Sequence, residues 1–212
     1  FFDPYPLPRN PEFIEVDEED YYYTDRIGVE ATRQIEAFAK SDKPFFQYVA
    51  FTAAHWPIHA PEKSIQKYIK MYEGGWEKLR NERYARMLKI GIIDKERWPL
   101  PPLEDRVKPW DTIDHKPWRI RNMAIYAAMV DHMDQAVGNI VQALEKTKQL
   151  NDTLIIYFHD NGACPEHLGG NGWNTANNIL AKAKKAGKTI AVGDKFDVPM
   201  GGPMTYGSVG HN

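Results

Sequence analysis

Two short runs hold the residue types that could do chemistry. The first is Thr52-Ala53-Ala54-His55-Trp56-Pro57-Ile58-His59-Ala60-Pro61 and the second is His159-Asp160-Asn161-Gly162. Asp160 and Asn161 each offer a hard oxygen, a donor pair that suits Ca²⁺ or Mg²⁺ better than zinc or copper, and Gly162 permits a sharp turn that would aim both inward. His55 can donate a proton or contact an anion near neutral pH. On spacing alone each run has a plainer alternative. Asp-Asn-Gly after an apolar segment is also an ordinary turn, and the prolines around His55 and His59 also mark a rigid surface loop. Asp131 and Asp134 resemble a carboxylate pair, but on a helix they fit a polar face or a packing contact better. Met123, Met129 and Met133 read as core.

Both runs follow apolar segments that would position them. Phe45-Phe46-Gln47-Tyr48-Val49-Ala50-Phe51 is aromatic and β-branched, which predicts a central parallel strand buried on both faces. Thr153-Leu154-Ile155-Ile156-Tyr157-Phe158 predicts a second apolar strand, arriving directly from a helix as strands of a parallel α/β sheet do. Ligands of such sheets bind beyond the carboxyl ends of the strands, where His55 and Asp160 lie. Between the strands the pattern is helical. Thr24 is a plausible N-cap for a helix carrying Ile27, Ala31, Ile35 and Phe38. Residues 62–90 predict two helices around Gly74-Gly75, the second with Trp76, Leu79, Tyr84 and Met87 inward and Gly91 as its stop. Trp98-Pro99-Leu100-Pro101-Pro102 forbids regular structure. A long helix over 119–149 shows the stripe Ile120, Met123, Ala127, Val130, Met133, Val137, Ile140 and Leu144, before Asn151-Asp152 turns the chain. Residues 1–20 read as a surface loop or an extended lead-in, and everything after Gly162 as loop apart from a helical stretch near 176–185.

Composition bounds these readings. With 212 residues, 42% hydrophobic and 26% charged, the chain can bury one sizeable core. The net charge is −2 with both signs interspersed, which argues against nucleic acid as a partner. No apolar run is long enough for a membrane span, and no signal-peptide pattern occurs. Cys164 is the one cysteine, so no internal disulfide is possible.

Three motifs in order carry a family resemblance. Phe45-Phe46-Gln47-Tyr48-Val49-Ala50 leads into Ala54-His55-Trp56-Pro57-Ile58-His59-Ala60-Pro61. Tyr126-Ala127-Ala128-Met129-Val130-Asp131-His132-Met133-Asp134 follows, and then the strand into His159-Asp160-Asn161-Gly162. Together they resemble the arylsulfatases over roughly residues 20–165. The resemblance implies an alkaline-phosphatase-like α/β sandwich, with a mainly parallel central sheet flanked by helices and incomplete in this chain. Residues 1–212 are then part of a single sulfatase catalytic domain, with 163–212 a substrate-side loop region. It further implies hydrolysis of a sulfated small molecule or glycan, with Ca²⁺ as cofactor and Mg²⁺ second to it. Asp160 and Asn161 are the implied calcium ligands and His55 the implied sulfate contact and catalytic residue; His59 falls at a position that varies. A periplasmic or secreted location is suggested by the same resemblance.

The departures shape the expectation. Similar sulfatases use a cysteine or serine in Cys/Ser-x-Pro/Ala-x-Arg, converted to formylglycine, as nucleophile. Cys164 is followed by Pro165-Glu166-His167 and lacks that arginine. The formylglycine is therefore expected outside this chain, and the isolated chain is expected to be inactive. Two alternatives stay open: a phosphodiesterase or phosphonate monoester hydrolase of the same superfamily, and a truncated interaction module that does no chemistry.

Overall fold

A computed structural model describes residues 7–9, 12–14, 21–55, 58–103, 107–113 and 116–159. In chain order its elements are an antiparallel hairpin of β1 (Leu7–Arg9) and β2 (Glu12–Ile14), then helices α1 (Tyr23–Phe38), α2 (Glu62–Tyr72), α3 (Gly75–Lys89) and α4 (Lys116–Lys146). A 3₁₀ turn, Trp110–Thr112, precedes α4, and a second, Leu150–Asp152, follows it where Asn151-Asp152 was expected to turn the chain.

The helices form where the apolar spacing predicts, with two corrections. Gly28, Ala31 and Ile35 of α1 are buried at intervals of three and four residues, as one helix face requires. Its cap is Tyr22 rather than Thr24, which lies buried inside the first turn. Tyr22 is itself a buried side chain, and that tertiary contact outweighs the intrinsic preference for threonine at the cap. In α4, Met123, Met129 and Met133 are core as expected. Val130, however, is 38% exposed, whereas Ala124, Ile125, Ala128, Ala136 and Ala143 are buried. A single stripe cannot describe α4, because α1 and α2 both pack along it and cover a wider arc.

Three apolar clusters fix this arrangement. Ile35 meets Ala143 and Leu144 between α1 and α4, with Phe45, Ile140 and Leu150 against them. Ile58, Ala60 and Ile65 meet Ala124, Ile125, Ala128 and Met129. Trp76 of α3 meets Trp110 edge to face at 4.9 Å, with Met123 beneath. Gly28 brings α1 close to α4: a Cβ added there would lie 2.6 Å from Ala136 Cβ. Gly75 has φ +78, the left-handed region that glycine adopts without steric cost, and so allows α2 to end and α3 to begin at the Gly74-Gly75 break.

The expected parallel sheet does not form among the described residues, whose one ladder is β1 with β2. Over 45–51 the burial alternates with the period of a strand. Phe45, Gln47, Val49 and Phe51 are half-buried, while Phe46 is 89% and Tyr48 70% exposed. One face therefore rests on helices and the other is bare, in place of the expected burial on both. Gln47 Nε2 donates to the Ala31 carbonyl at 3.2 Å and Phe45 stacks on Phe38 at 5.4 Å, so α1 supports the covered face. The run 154–158 is exposed along its length and has no ladder partner among the described residues. A strand buried on both faces needs neighbours at its edges and a layer on each side. The described helices supply one layer. The stretch near 176–185 lies outside the described residues, and no helix of those described is long and apolar enough to cross a membrane.

Candidate functional site

The loop that carries His55 is anchored on both sides of it. Ala53 and Ala54 pack against the apolar cluster on α4, and Ile58 and Ala60 are buried within that cluster. Burying a side chain such as Ile58 stabilises its position by roughly 1.5–3 kcal/mol, so the flanks are held while the imidazole between them stays exposed. The His55 backbone N–H donates to the Thr52 carbonyl at 2.9 Å, which tightens the turn. Trp56 and Pro57 lie outside the described residues. Beyond the loop, the Pro61 carbonyl accepts from the N–H groups of Ser64 and Ile65 and opens α2.

Polar contacts lock α2 to α4. Arg121 makes a two-pronged contact with the Glu62 carboxylate at 2.7 and 3.1 Å. Lys67 Nζ donates to Asp131 at 2.7 Å, and Gln135 donates to the other Asp131 oxygen at 3.1 Å. The Lys67 hydrogen bond holds the Asp131 carboxyl below its usual range, and the same bond raises the Lys67 ammonium. Asp131 is thus the packing contact that its helical position suggested, and Asp134 is exposed.

His59, left without a role by the sequence, is held through its backbone. The Tyr22 hydroxyl donates to the His59 carbonyl at 3.0 Å, and the two rings meet edge to face at 5.6 Å. Burial above all, with the Asp25 charge adding and a Thr24 hydrogen bond opposing, pushes the Tyr22 hydroxyl up to about 12, so it keeps its proton for that bond. The Tyr22 ring also meets His132 edge-on at 4.9 Å. His132 in turn lies between two partners, Asp25 at Nδ1 and Ser64 at Nε2, each at 2.7 Å. A carboxylate only accepts, so Nδ1 carries a proton, and in the neutral ring Nε2 accepts from the Ser64 hydroxyl. Sequence reasoning missed this cluster. Its members are 107 and 68 residues apart, and no local period links them.

The second run approaches the same part of α4. Tyr126 packs against the cluster that holds Ala53 and Ala54. Burial raises its hydroxyl pKa, and the Tyr157 hydroxyl of the extended run adds to the rise. The Tyr157 hydroxyl lies 3.0 Å from His159 Nε2, and their rings meet edge to face at 5.1 Å. Asp160 and Asn161 lie outside the described residues, so the structure places His55 and the approach to Asp160 but not the two expected ligands. Among the described residues no group of three or more His, Cys, Asp or Glu is arranged to hold a metal ion.

Comparison with known proteins identifies the family. The sulfatase family model matches residues 3–200. Over 149 residues the chain is 33% identical to the arylsulfatase of Klebsiella aerogenes, an overlap that covers 69% of the chain and 32% of that protein. It is also 33% identical over 146 residues to an uncharacterized sulfatase of Schizosaccharomyces pombe, covering 68% of the chain and 26% of the relative. Mouse arylsulfatase J is 26% identical over 151 residues, covering 71% of the chain and 17% of the relative. The chain spans about a third or less of the length of these relatives. With its motif order, its anchored histidine loop and a family match over nearly all of its residues, the chain belongs to the sulfatase family, whose fold is the alkaline-phosphatase-like α/β architecture.

Proposed function

We propose that the intact protein hydrolyses sulfate esters of a small molecule or glycan, with His55 at the sulfate and Asp160 and Asn161 among the ligands of a Ca²⁺ ion. The observation that carries this reading is the presentation of His55. An exposed imidazole stands on a loop clamped at both flanks to the stretch of α4 that the segment leading to Asp160 also approaches. The donor chemistry of Asp160 and Asn161, one carboxylate and one amide oxygen, fits a hard cation that takes 6 to 8 oxygens. Bound calcium would neutralise charge on the sulfuryl oxygens. His55 stabilises or protonates the departing ester oxygen, and its fixed loop lowers the ordering cost of doing so. The runs 45–51 and 154–158 are proposed as strands of the mainly parallel sheet, completed by other parts of the protein.

Substitution in the full-length enzyme tests the assignment. Asp160→Ala should abolish aryl sulfate hydrolysis at ordinary calcium levels and lower the bound calcium measured by elemental analysis. His55→Ala should keep its calcium and lose about 10² to 10⁴ in kcat, the usual effect of removing one positioned proton donor. An Asp160→Ala enzyme with wild-type metal content and rate would refute the site.

A further inference from the structure

We propose that Tyr22, braced by His132 between Asp25 and Ser64, is a positioning residue that sets the direction of the His55 loop. This deepens the reading above and rests on His55 acting at the sulfate.

The argument starts from what holds His59. Ile58 and Ala60 are anchored by burial, a contact that fixes position but not the rotation of the peptide between them. The Tyr22 hydroxyl adds an orienting constraint by donating to the His59 carbonyl at 3.0 Å. His55 stands four residues toward the N-terminus, and Ile58, whose peptide joins it to His59, is an anchor of the loop that carries it. A phenyl ring would fill the same space and remove this hydrogen bond.

The brace behind Tyr22 is rigid for a physical reason. The His132 imidazole is bonded at opposite nitrogens, to Asp25 of α1 and Ser64 of α2, so it cannot rotate without losing both 2.7 Å contacts. Its edge-on contact with Tyr22 at 4.9 Å then presents a fixed wall to the tyrosine ring. One residue each from α1, α2 and α4 therefore meets at this point, and the placement of all three helices is read out in the loop. The order serine, histidine, aspartate matches that of a nucleophilic triad. Here its two bonds join three helices and the Tyr22 ring packs on the imidazole, which is the arrangement of a brace.

The test is a double-mutant cycle in the full-length enzyme, with kcat and KM for an aryl sulfate as readouts and thermal unfolding measured alongside. Tyr22→Phe should lower kcat roughly 10-fold with KM nearly unchanged, since misplacing a reacting group by about 1 Å costs up to 10²-fold. In the His55→Ala background the same change should have no further effect, because it acts through the imidazole. His132→Leu should reproduce the kcat loss, and His132→Gln, which keeps a donor and an acceptor, should recover part of it. Wild-type kcat in Tyr22→Phe overturns the inference, as does a loss that persists undiminished beside His55→Ala. A His55→Ala enzyme at wild-type rate overturns the reading of His55 itself. The two failures are therefore distinguishable.

Discussion

Gly28→Ala tests the docking of α1 on α4 through the sign of its effect. On an isolated helix the change is favourable by about 1 kcal/mol, since alanine is the best helix former and glycine among the worst. In the folded protein the new methyl would lie 2.6 Å from Ala136 Cβ and 3.1 Å from Ala136 Cα. Carbon atoms in good contact are about 3.5–4.0 Å apart, so the helices must separate by roughly 1 Å. One of the opposing atoms is backbone, which no rotamer change can move aside. Overpacking of this kind costs about 1–3 kcal/mol, which cancels the propensity gain and leaves a net destabilisation of up to roughly 2 kcal/mol. Urea unfolding, with the midpoint shifted and the slope unchanged, measures it. Ala136→Gly in the same protein should reduce the penalty of the alanine at 28, a favourable coupling that independent sites would not show. A Gly28→Ala protein more stable than wild type by the bare propensity gain would refute the close approach of the two helices.

The 212-residue chain on its own should turn over no aryl sulfate above a heat-killed control, because it contains no Cys/Ser-x-Pro/Ala-x-Arg nucleophile motif. The Lys67–Asp131 pair should give a defined pH window. Asp131 is depressed, so its contribution is present above the unfolded carboxylate value of about 3.9 and is lost as pH falls through the folded one; Lys67 is raised, so its share is lost only as pH climbs past about 10.4. Asp131→Asn should accordingly flatten the acid limb of a stability-against-pH curve, and an unchanged limb would remove the pair from the account. Amides of 45–51 and 154–158 should exchange quickly in the isolated chain and slowly in the full-length protein, and equal protection in both would contradict their proposed place in a larger sheet.

What was legible in the sequence was what local period encodes. The long helix, the break at Gly74-Gly75 and the irregular run through Trp98 and the prolines all follow from spacing, glycine and proline within a few residues of one another. Illegible features depend on who the neighbour is. Val130 is as apolar as Met133, yet it is the more exposed because α1 and α2 cover other sides of α4. Thr24 has the better cap chemistry, yet Tyr22 takes the position because its ring is buried. His55 could be singled out as a candidate because its loop chemistry is local. His132 went unread because its partners come from α1 and α2.

The small residues of α4 explain how so much converges near His55. Ala124 and Ala128 are fully buried beneath the loop, and Ala136 faces Gly28. Larger side chains at these places would hold the loop and α1 away from the helix axis, and the 2.7 Å contacts of His132 with both α1 and α2 need those helices close. The apolar exposure elsewhere points in a complementary direction. Phe46, Tyr48 and the run 154–158 form bare apolar surface on segments that end at His55 and His159. Extended apolar surface of this kind is normally covered in a working protein. Under the proposed function, a layer covering this surface would lie against the same two segments that lead to His55 and toward Asp160, so completing the fold would also complete the site.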